Sequence, residues 1–122
     1  MRKELEFIKA CDNFYVLTIN GDFPAGRPFG AIMEHENDLY ITTADNKPVY
    51  EQITAHPQIQ LLAQKPGTRS WLRVCGIAEE CHDIAVKQKM LDECPNLAKF
   101  HSAPDEEHFN VFWVQVLSSE IN

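Results

Sequence analysis

The sequence is short of basic residues, and it lacks both a long apolar run and a linker-like segment. Eleven lysines and arginines stand against eighteen aspartates and glutamates, which gives a formal net charge of -7. Sequence-independent binding to nucleic acid or to an anionic membrane needs a basic surface, so we expect neither partner. No apolar run approaches the ~18 residues that a membrane-spanning helix needs. With 122 residues and no boundary in composition, the chain is predicted to form one domain, residues 1–122.

Cysteine is also scarce, and its spacing gives no framework for a metal or for disulfides. The four cysteines, Cys11, Cys75, Cys81 and Cys94, include no C-x-x-C pair, the spacing that structural zinc sites normally show. The first segment, "MRKELEFIKACDNF", is charged from its start and lacks the apolar core of a signal peptide. We therefore expect a cytoplasmic protein with reduced thiols and no metal site, in which the five histidines are surface or capping residues.

What the sequence does contain is a series of short β-branched and aromatic runs. They predict six strands, at residues 14–19, 27–34, 38–43, 58–64, 69–81 and 109–117, and short helices at 2–11, 48–56 and 83–91. Residues 21–26 are expected to form a turn, and Gly76 to mark a bulge or a close backbone approach. Strands and helices do not alternate regularly, so the pattern favours a small antiparallel barrel or half-open barrel over a doubly wound sheet.

The last predicted strand is apolar on both faces. One face carries Phe109, Val111, Trp113 and Gln115, and the other carries Asn110, Phe112, Val114 and Val116. A monomeric barrel buries only its inner face, so we expect the second apolar face of this strand to lie at a subunit interface.

Polar and basic residues meet where the third predicted strand ends and a helix begins. Thr42 and Thr43 close the strand, Asn46 and Lys47 follow, and Pro48 suits the first turn of a helix. A helix N-terminus with a lysine and hydroxyl groups beside it can hold a phosphate. The alternative is an ordinary helix start, in which Asp45 or Asn46 supplies the cap and Lys47 is a solvated surface lysine.

Two further groups of residues bear on this choice. If the predicted hairpin pairs Glu34 near Asp38, its first strand starts at Arg27 beside the two threonines, and a guanidinium can grip a phosphate through two hydrogen bonds. In the strand at 69–81, Trp71 and Arg73 share a face, where the indole could stack on a flat ring. The alternative for this pair is a partly buried core tryptophan with an arginine at its rim.

The sequence resembles a known family in five segments. In chain order they are "FYVLTING", "GRPFGAIM", "LYITTADNKPVYEQITAHPQIQLL", "WLRVCGIAEE" and "FNVFWVQV". The family is the pyridoxamine 5'-phosphate oxidase-like flavoproteins with the FMN-binding split-barrel fold, including the group related to nitroimidazole reductases. The resemblance implies a six-stranded antiparallel split barrel, a homodimer, and one FMN in each of two clefts at the subunit interface. The cofactor-binding residues that it implies are Arg27, Pro28, Phe29, Thr42, Thr43, Asn46, Lys47, Gln52, Trp71 and Arg73.

The resemblance also implies an activity. It points to an FMN-dependent oxidoreductase that acts on a small molecule, with NAD(P)H as a candidate electron donor, and it identifies no catalytic acid or base. The sequence ends soon after "FNVFWVQV" and has no counterpart of the C-terminal segment of true pyridoxamine phosphate oxidases, so we do not expect pyridoxal phosphate synthesis. Two alternatives remain open: a flavin carrier or redox sensor that uses Cys75 or Cys81, and a relative that holds haem or a deazaflavin.

Overall fold

Seven antiparallel strands form one sheet, and short helices cover parts of it. The computed structural model describes all residues, 1–122. The strands are β1 (Phe14–Asn20), β2 (Phe23–Phe29), β3 (Ile32–His35), β4 (Asp38–Thr43), β5 (Gln58–Gln64), β6 (Trp71–Cys81) and β7 (Asn110–Ile121). The helices are α1 (Lys3–Lys9), α2 (Pro48–Ala55), α3 (Ile84–Glu93) and a 3-10 helix at Pro95–Lys99. The prediction of a mainly β protein with short helices and an antiparallel sheet is confirmed, whereas the count of six strands is wrong.

The sheet is curled but not closed. Its strand order is β2-β1-β5-β6-β7-β4-β3, so β2 and β3 lie at opposite edges. Only Gly30 and Ala31 separate these two strands in the chain, which forces the two edges of the sheet to approach each other. They form no ladder with each other, because β2 pairs with β1 and β3 pairs with β4.

The predicted strand at 27–34 is wrong, because the chain changes from one sheet edge to the other inside it. The predicted turn at 21–26 is also too long. The turn itself takes only Gly21 and Asp22, with Gly21 at a φ of 61° that suits glycine. Pro24 and Gly26 suggested a loop but belong to β2, an edge strand where a missing proline N–H costs no ladder bond on the open side.

Two apolar clusters account for the core. The larger one fills the curled sheet beneath α1 and α2 and includes Leu5, Ile53, Leu61 and Val74. The smaller one lies on the opposite face of β7, where α3 and the 3-10 helix cover it; its members are Met33, Val86, Met90, Leu97, Phe109 and Val111. The second apolar face at the start of β7 is therefore covered by its own chain, and it does not require the subunit interface that the sequence suggested.

Local sequence rules fix several of the element boundaries. Pro48 occupies the first turn of α2, as predicted, and the helix ends at Ala55, one residue before the predicted end. Asp83 caps α3 by accepting a hydrogen bond of 2.9 Å from the Ala85 N–H. Gly76 lies at a register shift between β6 and β7, and a Cβ at this position would meet the Gln115 carbonyl oxygen at 2.8 Å. Both the bulge and the close approach expected there are confirmed. None of the helices combines the length and apolar character needed to cross a membrane.

Candidate cofactor site

Arg27 is a half-buried cation that is held by neutral groups. It lies on β2 opposite Val16, on the inner face of the sheet. Its Nη1 donates to the Thr18 hydroxyl at 2.8 Å and to the Val16 carbonyl at 3.1 Å, and its Nη2 donates to Gln52 Oε1 at 2.7 Å. The ion pairs of the protein do not include Arg27, and burial lowers the pKa of its guanidinium. The site therefore contains a fixed positive charge without a counterion.

Lys47 stands at the N-cap position of α2. Its backbone is extended, no side chain caps the helix, and Pro48 follows. The cap by Asp45 or Asn46 that the alternative interpretation expected is therefore wrong, whereas Lys47 is exposed, as that alternative expected. Pro48 has no N–H and the Tyr50 N–H bonds to the Lys47 carbonyl at 3.1 Å, so the Val49 N–H is the donor of the first turn that is left for an anion. The exposed Lys47 ammonium takes part in no ion pair. Gln52, the partner of Arg27, lies about 7.5 Å further along the same helix axis.

The two threonines at the end of β4 pair with the start of β7. Thr42 lies opposite Val111, and Thr43 lies opposite Asn110. The Thr42 hydroxyl donates to the Asn110 carbonyl oxygen at 2.8 Å. The hydroxyl of Thr42 is thus engaged in the sheet, directly before the loop that leads to α2.

A chain of polar contacts continues from this point. Tyr50 donates its hydroxyl hydrogen to Glu80 Oε1 at 2.5 Å, and Asn110 Nδ2 donates to Glu80 Oε2 at 2.8 Å. The Asp45 N–H donates to Asn110 Oδ1 at 2.9 Å, and the Asp45 carboxylate bonds to His108. The hydrogen bond to Glu80, then burial, raises the pKa of Tyr50 to about 12. Tyr50 therefore remains a hydrogen-bond donor across the neutral range.

Pro28 and Phe29 point in opposite directions from β2. Phe29 faces inward and packs against Phe14, with ring centroids 6.1 Å apart. Pro28 pairs with Tyr15 and is exposed on the outer face. Because their side chains lie on opposite faces, these two predicted site residues cannot contact a ligand from the same side of the sheet.

Trp71 and Arg73 form a second group on the outer face. The Arg73 guanidinium lies 4.9 Å from the centroid of the Trp71 ring and pairs with Glu120 at 3.2 Å. Residues that pair across neighbouring strands form rows that cross the sheet. The row of Arg73 consists of Glu120, Arg73, Leu62, Tyr15 and Pro28. The next row is that of Arg27, and it consists of Ser119, Val74, Leu61, Val16 and Arg27. Adjacent rows point to opposite faces, so one chain does not bring Arg27 and Arg73 together.

Sequence reasoning joined Arg27 to the threonines by extending the hairpin at Glu34 and Asp38 back to Arg27; the hairpin exists, but its first strand begins only at Ile32. Arg27 belongs to the strand paired with β1, and the hairpin partner of β4 is β3. The contacts of Arg27 come instead from Thr18 and Gln52. Thr18 was missed, although strand alternation places it after Phe14 and Val16 on the inner face, where a hydroxyl among apolar residues is a signal. Glu80 and Asn110 carried no comparable signal, because their contacts depend on the β6–β7 pairing.

An apolar groove of about 460 Å³ lies on the outer face between β1, β5, β6 and the end of β7. Leu17, Ile19, Ile77 and Leu117 line it, and Leu117 is 62% exposed. Nowhere do three His, Cys, Asp or Glu side chains gather in a way that could hold a metal ion. The four cysteines are free thiols.

Arg27 and the start of α2 suit one kind of ligand chemistry. An uncompensated guanidinium, an unpaired lysine and an uncapped helix start all favour negative charge, and all three lie on or against α2. A phosphate monoester supplies two negative charges and several acceptor oxygens. The donor set therefore fits a phosphate-bearing ligand.

Comparison with known proteins gave matches among solved structures. No protein-family model matches the chain, and no curated protein matches it. A NimC/NimA family protein from Clostridium acetobutylicum is similar with a TM-score of 0.87 and 29% identity, over 100% of this chain and 89% of that chain. A pyridoxamine 5'-phosphate oxidase-like protein from Listeria innocua gives 0.79 and 18%, over 98% and 94%. A protein described as an F420 reductase gives 0.72 and 16%, over 98% of both chains.

These matches extend over nearly the whole of each partner. They share with this chain a mainly β fold with an antiparallel sheet and short helices, which is the coarser part of the fold that the resemblance implied. The chain is thus a structural relative of the NimC/NimA and pyridoxamine 5'-phosphate oxidase-like proteins, the family that its sequence resembles.

Proposed function

We propose that this chain is an FMN-binding flavoprotein that works as a homodimer and acts as an FMN-dependent oxidoreductase on a small molecule. The fold in this proposal is the split barrel of the FMN-binding type. The observation that carries the proposal is Arg27, whose charge has no carboxylate partner and is aimed by Thr18 and Gln52. Even a half-buried cation is stabilised by a counterion, so an anionic ligand beside Arg27 would complete the site.

The phosphate end of the cofactor is assigned to the inner face and to the start of α2. Arg27 would donate from β2, Lys47 would add a second charge, and the Val49 N–H in the first turn of α2 would add one backbone donor. Thr42 and Thr43 end their strand just before this loop. The role of these residues is to bind and orient, and none is assigned a proton transfer.

The ring end is assigned to the outer face of a second copy. Trp71 offers a flat aromatic surface and Arg73 a charge beside it, but both lie on the opposite face from Arg27. The apolar groove and the exposed Leu117 on this same face support burial of the face by a partner chain. FMN, when bound, supplies hydride or electron transfer through its isoalloxazine ring, and the protein supplies orientation and exclusion of water.

The absorption spectrum of the purified protein tests the cofactor, and rapid mixing tests the activity. A flavin spectrum, with FMN released on denaturation, is the expected result. Mixing the holoprotein with NADH or NADPH should bleach the flavin, and nitro compounds or quinones should restore the colour. A haem spectrum, or no FMN affinity in a direct titration, would reject the assignment. A stable flavin spectrum without bleaching would leave a flavin carrier in place of the enzyme.

A deazaflavin is the second candidate cofactor, because the F420 reductase matches 98% of this chain at a TM-score of 0.72. F420 also carries a flat tricyclic ring and a phosphodiester, so the same cations could serve it. Parallel titrations with FMN and F420 separate the two candidates. Binding of FMN at least about tenfold tighter than F420 would favour the leading proposal, since a factor of ten corresponds to about 1.4 kcal/mol.

A further inference from the structure

Asn110 connects two segments that border the proposed phosphate site. Its backbone ends the β4–β7 ladder opposite Thr43, and its carbonyl oxygen accepts the Thr42 hydroxyl hydrogen at 2.8 Å. Its side-chain oxygen accepts the Asp45 N–H at 2.9 Å. Asn110 is therefore bonded both to the end of β4 and to the loop that follows it.

The other ties of the loop between β4 and α2 are one internal backbone hydrogen bond and the bond of the Asp45 carboxylate to His108. The ladder stops at Thr43, and the loop's internal backbone hydrogen bond runs from the Lys47 N–H to the Ala44 oxygen at 3.1 Å. Asp45 is the second residue after the ladder, and Lys47 is the fourth. The hydrogen bond at the Asp45 N–H thus fixes the backbone two residues before Lys47, whose ammonium forms no ion pair.

The side-chain amide of Asn110 is also held by Glu80. Its Nδ2 donates to Glu80 Oε2 at 2.8 Å, which fixes which end of the amide faces Asp45. The other oxygen of Glu80 accepts the Tyr50 hydroxyl hydrogen at 2.5 Å, and Tyr50 belongs to the first turn of α2. One carboxylate therefore holds the helix through Tyr50 and the preceding loop through Asn110.

We propose that Asn110 is a positioning residue, whose amide holds the Asp45 backbone so that Lys47 and the start of α2 are presented together to the phosphate of the cofactor. This inference rests on the proposed function, because it takes the phosphate site as given. Asn110 itself need not touch the ligand. Its effect should therefore be confined to the phosphate, and the flavin ring should not sense its loss.

The test compares FMN with riboflavin, which has the same ring and lacks the phosphate. Affinities are measured by quenching of flavin fluorescence, for the wild-type protein and for Asn110→Ala, well below the unfolding temperature of each. The matched control is Ser119→Ala, which also removes a hydrogen bond from β7, the 2.7 Å bond from the Ser119 hydroxyl to Glu4, at the other end of the strand.

We expect Asn110→Ala to raise the Kd for FMN about tenfold and to leave the Kd for riboflavin within about twofold. Ser119→Ala should lower the unfolding temperature and change neither Kd. Equal weakening of both ligands by Asn110→Ala, or an unchanged Kd for FMN, overturns the inference while the proposed function stands. A wild-type protein that binds neither ligand overturns the proposed function and this inference with it.

A measurement on the wild-type protein keeps the inference testable if Asn110→Ala does not fold. Hydrogen exchange of the Asp45 amide reports directly on its bond to Asn110. We expect this amide to exchange at least about tenfold more slowly than an unstructured amide. Exchange at the unprotected rate would show that Asn110 does not hold the loop, and it would overturn the inference.

Discussion

Arg27 and Arg73 lie on opposite faces of the same sheet. Three strand spacings separate their strands, since β1 and β5 stand between β2 and β6, and this amounts to about 14 Å. Arg27 is turned toward the core and Arg73 toward the exposed surface. If both contribute to one cofactor site, they must come from different chains.

Mixed dimers test this division of the site. Lys47→Glu removes the phosphate end from one chain, and Trp71→Ala removes the ring contact from the other. Each variant alone should bind FMN poorly. In a mixed dimer, one of the two sites combines the unaltered Lys47 of one chain with the unaltered Trp71 of the other, and the second site lacks both. We therefore expect about one FMN per dimer when a doubly tagged preparation is titrated. If each site is built within a single chain, the mixed dimer will bind no better than either parent.

The affinity for FMN should fall as the pH rises through the pKa of His108. The hydrogen bond with Asp45, then the charges of Asp45 and Glu107, raise this pKa above its ordinary value, although burial opposes the shift. The protonated ring is the favoured form below that pKa. Above it, the Asp45 carboxylate loses its cationic partner, and it stands two residues before Lys47.

This pH effect can be isolated by titrating FMN from about pH 7 to about pH 9, where a phosphate monoester is already mostly dianionic. The wild-type Kd should increase across this range. His108→Asn cannot titrate and should give a flatter profile. Identical profiles for the two proteins would show that the Asp45–His108 pair does not influence the phosphate site.

Acid should destabilise the protein through Glu4 on α1. Burial alone would raise the pKa of this carboxyl, but hydrogen bonds from Arg2 and Ser119 outweigh it and lower the pKa from 4.5 to about 2. Because the folded pKa is depressed, the stabilisation is complete above the unfolded value and is lost as the pH falls toward the folded value. Urea unfolding should show a loss of roughly 3 kcal/mol between these limits.

Two variants of α1 separate this effect from general acid unfolding. Glu4→Gln should lower the free energy of unfolding at neutral pH by about 1–3 kcal/mol and remove most of the pH dependence. Glu6→Gln changes an exposed residue of the same helix and should shift stability by less than about 0.5 kcal/mol. Equal effects of the two substitutions would contradict the role given to Glu4.

Gly76 should tolerate no side chain. A Cβ would meet the Gln115 oxygen and Val114 Cγ1, each at 2.8 Å, so Gly76→Ala forces β6 and β7 apart and should cost about 1–3 kcal/mol. Gly30→Ala is the control, because a Cβ there meets nothing within 4 Å. Thermal unfolding of both variants checks the contrast, and a Gly76→Ala protein as stable as Gly30→Ala would refute the close approach.

Features governed by local rules could be predicted from the sequence. The start of α2 follows from Pro48, the bulge follows from Gly76, and the alternating faces of the strands follow from their apolar pattern. Prediction failed where distant pairing decides the outcome. Pro24 is compatible with a strand only because β2 lies at an edge, and nothing local reveals that position.

The candidate site shows the same limit. The joint before α2 was identifiable because Lys47 and Pro48 are adjacent in sequence. The contacts of Arg27 with Thr18 and Gln52 depend on the pairing of β1 with β2 and on the packing of α2 against β1. The second apolar face at the start of β7 packs against α3, and the apolar pattern of the strand itself does not show which element will pack there.

The most direct test of the phosphate assignment is a comparison of Lys47→Ala with Lys3→Ala. Both lysines are exposed and outside any ion pair, so neither change should move the free energy of unfolding by more than about 0.5 kcal/mol. Lys47→Ala should weaken FMN about tenfold and leave riboflavin unchanged, while Lys3→Ala should affect neither ligand. Full FMN affinity in Lys47→Ala would contradict the account, because the phosphate would then be held elsewhere.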